Sequence, residues 1–180
     1  PLSVSINLQY DEYGREKERV FDLNGVKQKL AQRYNAVDKL VQRELTAVDT
    51  EGNVLEVLRD EAYEYDARAR LTKYTCLGSQ KPVDPYGNLI DEQIFRFDHL
   101  DNITRVRTSF GLESNTAAYY YENDDDPVQL SRVTNTHASA VPRELILDYD
   151  ANGNLIVDEC GRVLEYDDLS RLISVSSAAA

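Results

Sequence analysis

The chain has 180 residues, 42 % of them hydrophobic, and a formal net charge of −12. That apolar content argues against global disorder. The acidic balance argues against nucleic acid or an anionic membrane surface, since both need clustered Lys and Arg, and no run approaches the roughly 20 apolar residues of a membrane-spanning helix.

In chain order, the first element is a hairpin around "YDEYGRE", with Tyr10, Asp11 and Gly14. A second reversal follows at "DLNG", Asp22 to Gly25. Residues 26–48 read two ways. Val26, Leu30, Tyr34, Val37, Val41, Leu45 and Val48 make a helical stripe. The same segment also reads as two strands joined at "NAVD", with Val26, Leu30 and Tyr34 on one face. "DTEG" (Asp49, Gly52) and "YDARARL" (Tyr65, Asp66) mark two more turns. A longer loop, "LGSQKPVDPYG", ends in a Pro-containing turn from Asp84 to Gly87. "FDHLDNI" (Phe97, Asp98) continues the series, and "YYYENDDDPVQL" is a degenerate copy near Tyr121. After a second long loop, "NTHASAVPR", come "DYDANGNLIVDE", "DECG" (Asp158, Gly161) and "YDDLSRL" (Tyr166, Asp167). The missing Met and the start at Pro1 suggest a fragment of a longer chain. Residues 1–177 read as one repeat segment, and Ala178–Ala180 as a vector-derived tail.

Six of the eight glycines stand three residues after an aspartate. One device predicts this spacing. In a type I turn, Asp at the first position accepts a backbone N–H two residues on, and Gly at the fourth takes the left-handed conformation. Such a turn joins antiparallel strands through a bulge. Recurring turns between Val-, Ile-, Thr- and Tyr-rich runs predict an all-β chain of repeated antiparallel hairpins.

"DYDANGNLIVDE" also matches a calcium-binding EF-hand loop, with Asp148, Asp150, Asn152 and Glu159 as ligands and Gly153 at the sharp turn. The turn reading outweighs it. The aspartate-to-glycine spacing recurs elsewhere without the other ligands, and the flanks are poor helices, beginning after Pro142 and meeting Gly161. No cofactor is implied. Cys76 and Cys160 have neither disulfide nor zinc spacing and read as two free, half-buried thiols. His99 falls in a turn and His137 in a loop, and no catalytic motif is present. "ENDDDP" reads as a solvated acidic run.

These residues resemble the Rhs or YD-repeat family, whose hallmark is Tyr-Asp, two variable residues, Gly, Arg or Asn, then Leu. The likeness runs from Tyr10 to Val175 through "YDEYGRE", "YDARARL", "FDHLDNI", "YDANGNL" and "YDDLSRL". Tyr149-Asp150 and Tyr166-Asp167 carry the hallmark pair. The sequence departs from the pattern at Ala69, Asp101 and Ser170, where Gly is expected, which predicts looser turns or turns of another type. The resemblance implies hairpins wound as a spiral sheet into a hollow shell. In bacterial polymorphic toxins and insecticidal toxin complexes such a shell encloses a toxic C-terminal domain, and in teneurins a similar barrel belongs to a cell-surface receptor. It further implies a secreted parent, with the rest of the shell and the enclosed domain as partners. Recurring Tyr rings are expected to stack between neighbouring turns. "DPYG" matches the letters of the family's self-cleavage motif but sits in mid-array. Open strand edges predict self-association.

The reading that follows is a non-catalytic structural segment. The second reading is a β module binding glycan or a host protein, with or without calcium. The third, an enzyme, has no residue pair to carry it.

Overall fold

The computed structural model describes residues 4–176. The tail assigned to Ala178–Ala180 lies outside them.

The chain is all β. Eleven strands follow one another in hydrogen-bonded order: β1 (Val4–Tyr10), β2 (Glu16–Leu23), β3 (Val26–Tyr34), β4 (Leu40–Val48), β5 (Val54–Tyr65), β6 (Leu71–Leu77), β7 (Glu92–Phe97), β8 (Ile103–Phe110), β9 (Glu113–Tyr120), β10 (Arg132–Asn135) and β11 (Glu144–Ile146). Two small sheets come after, β12 (Asp148–Tyr149) with β13 (Leu155–Val157), and β14 (Leu164–Tyr166) with β15 (Leu172–Val175). Most strands pair with their chain neighbour across tight reversals, which bring back an antiparallel strand, while longer loops join β6 to β7, β9 to β10 and β10 to β11. Residues 26–48 form two strands joined at "NAVD", not a helix. The apolar spacing there fits a helix equally well, and the reversal at Asn35 decides the outcome.

The chain divides into two compact units, one of Pro1–Ile94 with Thr108–Glu113 and one of Phe95–Arg107 with Ser114–Ala180. In the first unit the buried positions include Val48, Leu58, Tyr74, Cys76 and Ile90, together with Thr46 and Glu61. All but Ile90, which lies in the loop before β7, sit on the neighbouring strands β4, β5 and β6. A cross-strand row runs Gln32, Arg43, Glu61, Cys76. Glu61 is 3 % exposed, yet both its oxygens are engaged. Arg43 Nε donates to Oε2 at 2.6 Å, and Arg43 Nη2 and Tyr74 Oη donate to Oε1 at 3.1 and 2.8 Å. Burial pushes the Glu61 carboxyl up, but the Arg43 and Tyr74 hydrogen bonds and the Arg43 charge outweigh it and hold the group below the usual range. Beside it, burial and the Glu61 charge push the Tyr63 phenol up to about 12.

Among the glycines, Gly78 alone has another part of the backbone close against it. Its φ is +114°, and a Cβ there would stand 2.4 Å from the Leu58 carbonyl oxygen. Only glycine fits, so β5 and the loop after β6 meet backbone to backbone.

In the second unit, Val106, Val133 and Ala140 are buried, together with Asn115 and Asn135. Asn115 Nδ2 donates to Asn135 Oδ1 at 2.7 Å. Asn115 Oδ1 accepts the Thr136 and His137 amides at 3.0 and 3.1 Å, which ties β9 to the loop after β10.

The two cysteines differ from the expected pair of half-buried thiols. Cys76 is buried and Cys160 is exposed. Cys76 sits on β6 among paired strands, whereas Cys160 is a turn residue whose N–H donates to Asp158.

Candidate functional site

The feature that recurs through the molecule is a five-residue turn, and Asp150 shows all its bonds. The Gly153 N–H donates to the Asp150 carbonyl at 3.0 Å, and the Asp150 N–H donates to the Asn154 carbonyl at 2.9 Å. The Asp150 Oδ1 accepts the Asn152 and Asn154 amides, both at 2.9 Å. Its Oδ2 accepts Asn154 Nδ2 at 2.8 Å. Both carboxylate oxygens are therefore engaged within their own loop. Gly153, at φ +80°, turns the chain through the left-handed region.

The same set of bonds holds Asp49 to Asn53, Asp84 to Asn88 and Asp98 to Asn102. With an Arg Nε as the clamp it holds Asp11 to Arg15, Asp66 to Arg70, Asp158 to Arg162 and Asp167 to Arg171. Asn35 builds the turn as well, accepting the Val37 and Lys39 amides. The clamp explains why Asp84 and Asp158 are buried at 8 % and 4 % exposure, since each oxygen that leaves water gains a donor. It is electrostatically legible too. The side-chain hydrogen bond from the fifth residue, with the backbone N–H bonds, holds the carboxyls of Asp49, Asp66, Asp150 and Asp167 below the usual range.

The sequence signal for the fifth position was present, as Asn or Arg directly after the glycine. Arg15, Asn53, Arg70, Asn88, Asn102, Asn154, Arg162 and Arg171 nevertheless did not stand out as functional. Their constant spacing of four from the aspartate is what identifies them.

Two expectations about the turns change. Asp22 to Gly25 is not a member of the set. Leu23 pairs directly with Val26, so Asn24 and Gly25 form a two-residue loop with φ of 57° and 92°. Asp22 lies within β2, and its Oδ1 caps the Gly25 N–H at 2.8 Å. Conversely, the turns without glycine are not of another type, and only the one at Asp101 is looser, its N–H reaching the Asp98 carbonyl at 3.4 Å against 2.9 Å for Ala69 and Ser170. Ala69, Asp101 and Ser170 adopt φ of 64°, 70° and 56°, and Asp38 reaches 60° after Asn35. The side-chain clamp holds these residues in a conformation they disfavour on their own.

The recurring tyrosine does not stack ring on ring at Tyr34, Tyr65, Tyr121 or Tyr149. Each instead donates its hydroxyl to a backbone carbonyl near the start of an earlier strand or loop. Tyr34 reaches Glu16 at 3.1 Å, Tyr65 reaches Leu40 at 2.8 Å, Tyr121 reaches Ile103 at 3.0 Å and Tyr149 reaches Leu130 at 2.8 Å. Glu16, Leu40 and Ile103 each stand five residues after a turn's Asp or Asn. The Arg15 guanidinium adds a second link, lying 4.7 Å from the Tyr34 ring centre while its Nη1 bonds Asp38. Neighbouring turns are thus latched to each other. Every such latch is worth about 1 kcal/mol net.

The calcium-loop residues are not arranged as an EF-hand. Asp148 lies in β12 opposite Val157, Asp150 closes its own turn, Asn152 is a donor in that turn, and Glu159 sits in the following turn from Asp158 to Gly161. No helix flanks them. Among the described residues no group of three or more His, Cys, Asp or Glu is placed to hold a metal ion. His99 occupies the turn that Asp98 closes. His137 Nδ1 lies 2.8 Å from Ser139 Oγ, within one loop. Asp84 to Gly87 is the Pro-containing turn expected. "ENDDDP" is partly structural, since Asn123 and Asp126 cap local amides and Glu122 pairs with Arg132 at 2.6 Å. Grooves between neighbouring turns are open. One of about 650 Å³ is lined by Val37, Val41, Tyr63, Tyr65 and Ala69. Of its polar members, which include Lys39 and Glu64, Asn35 and Asp66 are occupied in closing their own turns.

No family model and no curated protein matches the sequence. The fold does have counterparts. It is similar to a crystal structure of TcdB2-TccC3-TEV, with a TM-score of 0.64 at 13 % identity over 98 % of this chain and 10 % of that one. It is also similar to a Photorhabdus luminescens Tc holotoxin pore carrying a TccC3 mutation, with a TM-score of 0.55 at 13 % identity over 97 % of this chain and 11 % of that one. At such identity the likeness is one of fold. The resemblance to Rhs and YD-repeat proteins thus extends to the architecture, a long antiparallel sheet of hairpins shared with a segment of Tc toxin structures. The chain spans about a tenth of the length of the chains it matches.

Proposed function

We propose that the chain is a non-catalytic wall segment of a secreted bacterial toxin, part of a β-shell that encloses a toxic C-terminal domain. The carrying observation is that the carboxylates of the clamped turns are engaged by their own loops and the hydroxyls of Tyr34, Tyr65, Tyr121 and Tyr149 by neighbouring backbone. The residues that could have done chemistry or bound ions are building the sheet. The fold likeness over nearly the whole chain supports the same reading. The partners of the segment are then the rest of its shell and the enclosed domain, and its place of action is outside the producing cell.

The test is electron microscopy with limited proteolysis on the full secreted polypeptide that carries this segment. The reading expects a closed wall around internal density that resists protease until the wall is unfolded. A small free domain that binds glycan or a host protein would overturn it and favour the β-module reading.

A further inference from the structure

The hairpin closed by Asp98 differs from its counterparts in one cross-strand pair. In the Asp66 hairpin, Glu64 before the turn stands opposite Lys73 after it, with Lys73 Nζ 4.0 Å from Glu64 Oε1. The same place in the Asp11 hairpin holds Gln9 opposite Glu18, and Gln9 Nε2 donates to Glu18 Oε1 at 3.3 Å. In the Asp167 hairpin it holds Glu165 opposite Ser174, whose hydroxyl donates to Glu165 Oε2 at 2.7 Å. Around Asn35 it holds Arg33 opposite the neutral Gln42. In the Asp98 hairpin the corresponding residues are Arg96 on β7 and Arg105 on β8. Thr104 Oγ1 donates to the Arg96 carbonyl at 3.3 Å, as Thr72 Oγ1 does to the Glu64 carbonyl at 3.2 Å, so the register is the same. Two cations thus face each other where these other hairpins pair or neutralise the charge. Like charges directly opposite in a sheet are destabilising. Arg107 continues the row on the same face, since Val106 between them is buried. All three arginines are exposed, and among the described residues none of them makes an ion pair. The Glu122 and Glu144 carboxylates of the same unit are taken by Arg132.

We infer that Arg96, Arg105 and Arg107 are a docking site for an extended acidic segment of a partner protein, with carboxylates two residues apart. Residues two apart on a strand share a face and stand about 7 Å from each other. Carboxylates at that spacing in an extended segment therefore match Arg105 and Arg107. Arg96 lies on the neighbouring strand, about 5 Å from Arg105, so one carboxylate accepts from both. The guanidinium fork suits a carboxylate because it forms two parallel N–H bonds to it. A single phosphate would satisfy Arg96 and Arg105 and leave Arg107 without a partner. A nucleic acid would be repelled by the net charge of −12. The acidic run of a second copy is a poor match, because Glu122 is held by Arg132 and Asp126 caps the Val128 amide. The inference rests on the register of one hairpin and does not draw on the wall reading.

The probe is an acetylated, amidated peptide of alternating aspartate and threonine. It is added to the intact chain at low ionic strength, where exposed charges are least screened. The arginine Nε–H signals, followed by NMR, report the contact. Saturable shifts at Arg96, Arg105 and Arg107 are expected, with about five-fold weaker binding to Arg107→Gln, the loss of one exposed charge pair. Arg105→Glu replaces the like-charged pair with one of the Glu64–Lys73 kind. It should abolish peptide binding and slow hydrogen exchange in β7 and β8, which shows that the fold is kept. The inference is overturned if the arginine signals do not move, or if Arg105→Glu still binds or exchanges faster. Equal binding by a peptide of the same composition with its aspartates in one block would overturn it too, as would equal binding by inorganic phosphate or duplex DNA. Arginine shifts that depend on protein concentration without peptide would assign the site to a second copy and overturn the partner.

Discussion

The hairpins of residues 26–77 and those of residues 148–175 use one turn and surround it differently. In the first group the strands run 9, 9, 12 and 7 residues and bury Thr46, Leu58, Cys76, Glu61 and Tyr74. In the second they run 2, 3, 3 and 4 residues, and Leu172 and Ile173 remain 50 % and 64 % exposed. The bonds at Asp66 and at Asp167 are nevertheless the same set. The turn is thus a local object that five residues complete by themselves. Strand length and burial depend on what lies across the sheet.

That contrast can be broken most forcefully in the long hairpins. Gly78→Ala adds a methyl 2.4 Å from the Leu58 carbonyl oxygen at a φ that alanine resists. It should cost about 3 kcal/mol in the first unit, seen by denaturant unfolding. Glu61→Ala strands Arg43 and the Tyr74 hydroxyl. The expected loss is about 2–3 kcal/mol, short of the cost for a fully buried pair because the Arg43 side chain stays 38 % exposed. Glu61→Gln keeps an acceptor for Tyr74 and should lose less.

The turn itself separates the two regions more finely. Asp66→Ala and Asp167→Ala each remove the same bonds, and each should destabilise its hairpin by less than Gly78→Ala or Glu61→Ala. In the long hairpins the loss should appear as a shift of the whole unfolding transition. Near the end of the chain it should appear as faster hydrogen exchange confined to residues 164–175, because few contacts tie that hairpin to other strands. Equal global shifts would erase the distinction. The smallest effect is a gain. Ala69→Gly relieves a left-handed alanine and should stabilise by about 0.5–1 kcal/mol, measured by thermal unfolding, after the entropy that glycine costs in the unfolded chain.

The sequence made the turns legible because each is completed within five residues. Asp at the first place, Gly at the fourth and Asn or Arg at the fifth are readable without knowing any strand partner. The same locality misled at Asp22, where Asn24 with Gly25 satisfies a shorter loop and the aspartate falls inside a strand. It also understated Ala69, Asp101 and Ser170, whose missing glycine is compensated by the clamp. The Glu61 cluster and the Gly78 contact were not readable. Arg43, Glu61 and Tyr74 lie on three strands, and only the register brings them together. The tyrosine latch was half legible: the repeat of Tyr was plain, but its carbonyl partner lies 18 to 25 residues away.

The central claim is that the repeated aspartates are spent on their own turns. Carbon-detected titration of the side-chain carboxyls tests it most directly, followed at Asp49, Asp66, Asp150 and Asp167 with and without calcium. A lowered folded-state pKa adds stability that is complete above the unfolded value of about 3.9 and is lost as pH falls through the lowered value, so the turns should loosen only in strong acid. The account predicts that all four titrate below the free aspartate value and ignore calcium. Ordinary values near 3.9, or carboxyl shifts that follow added calcium, would contradict it.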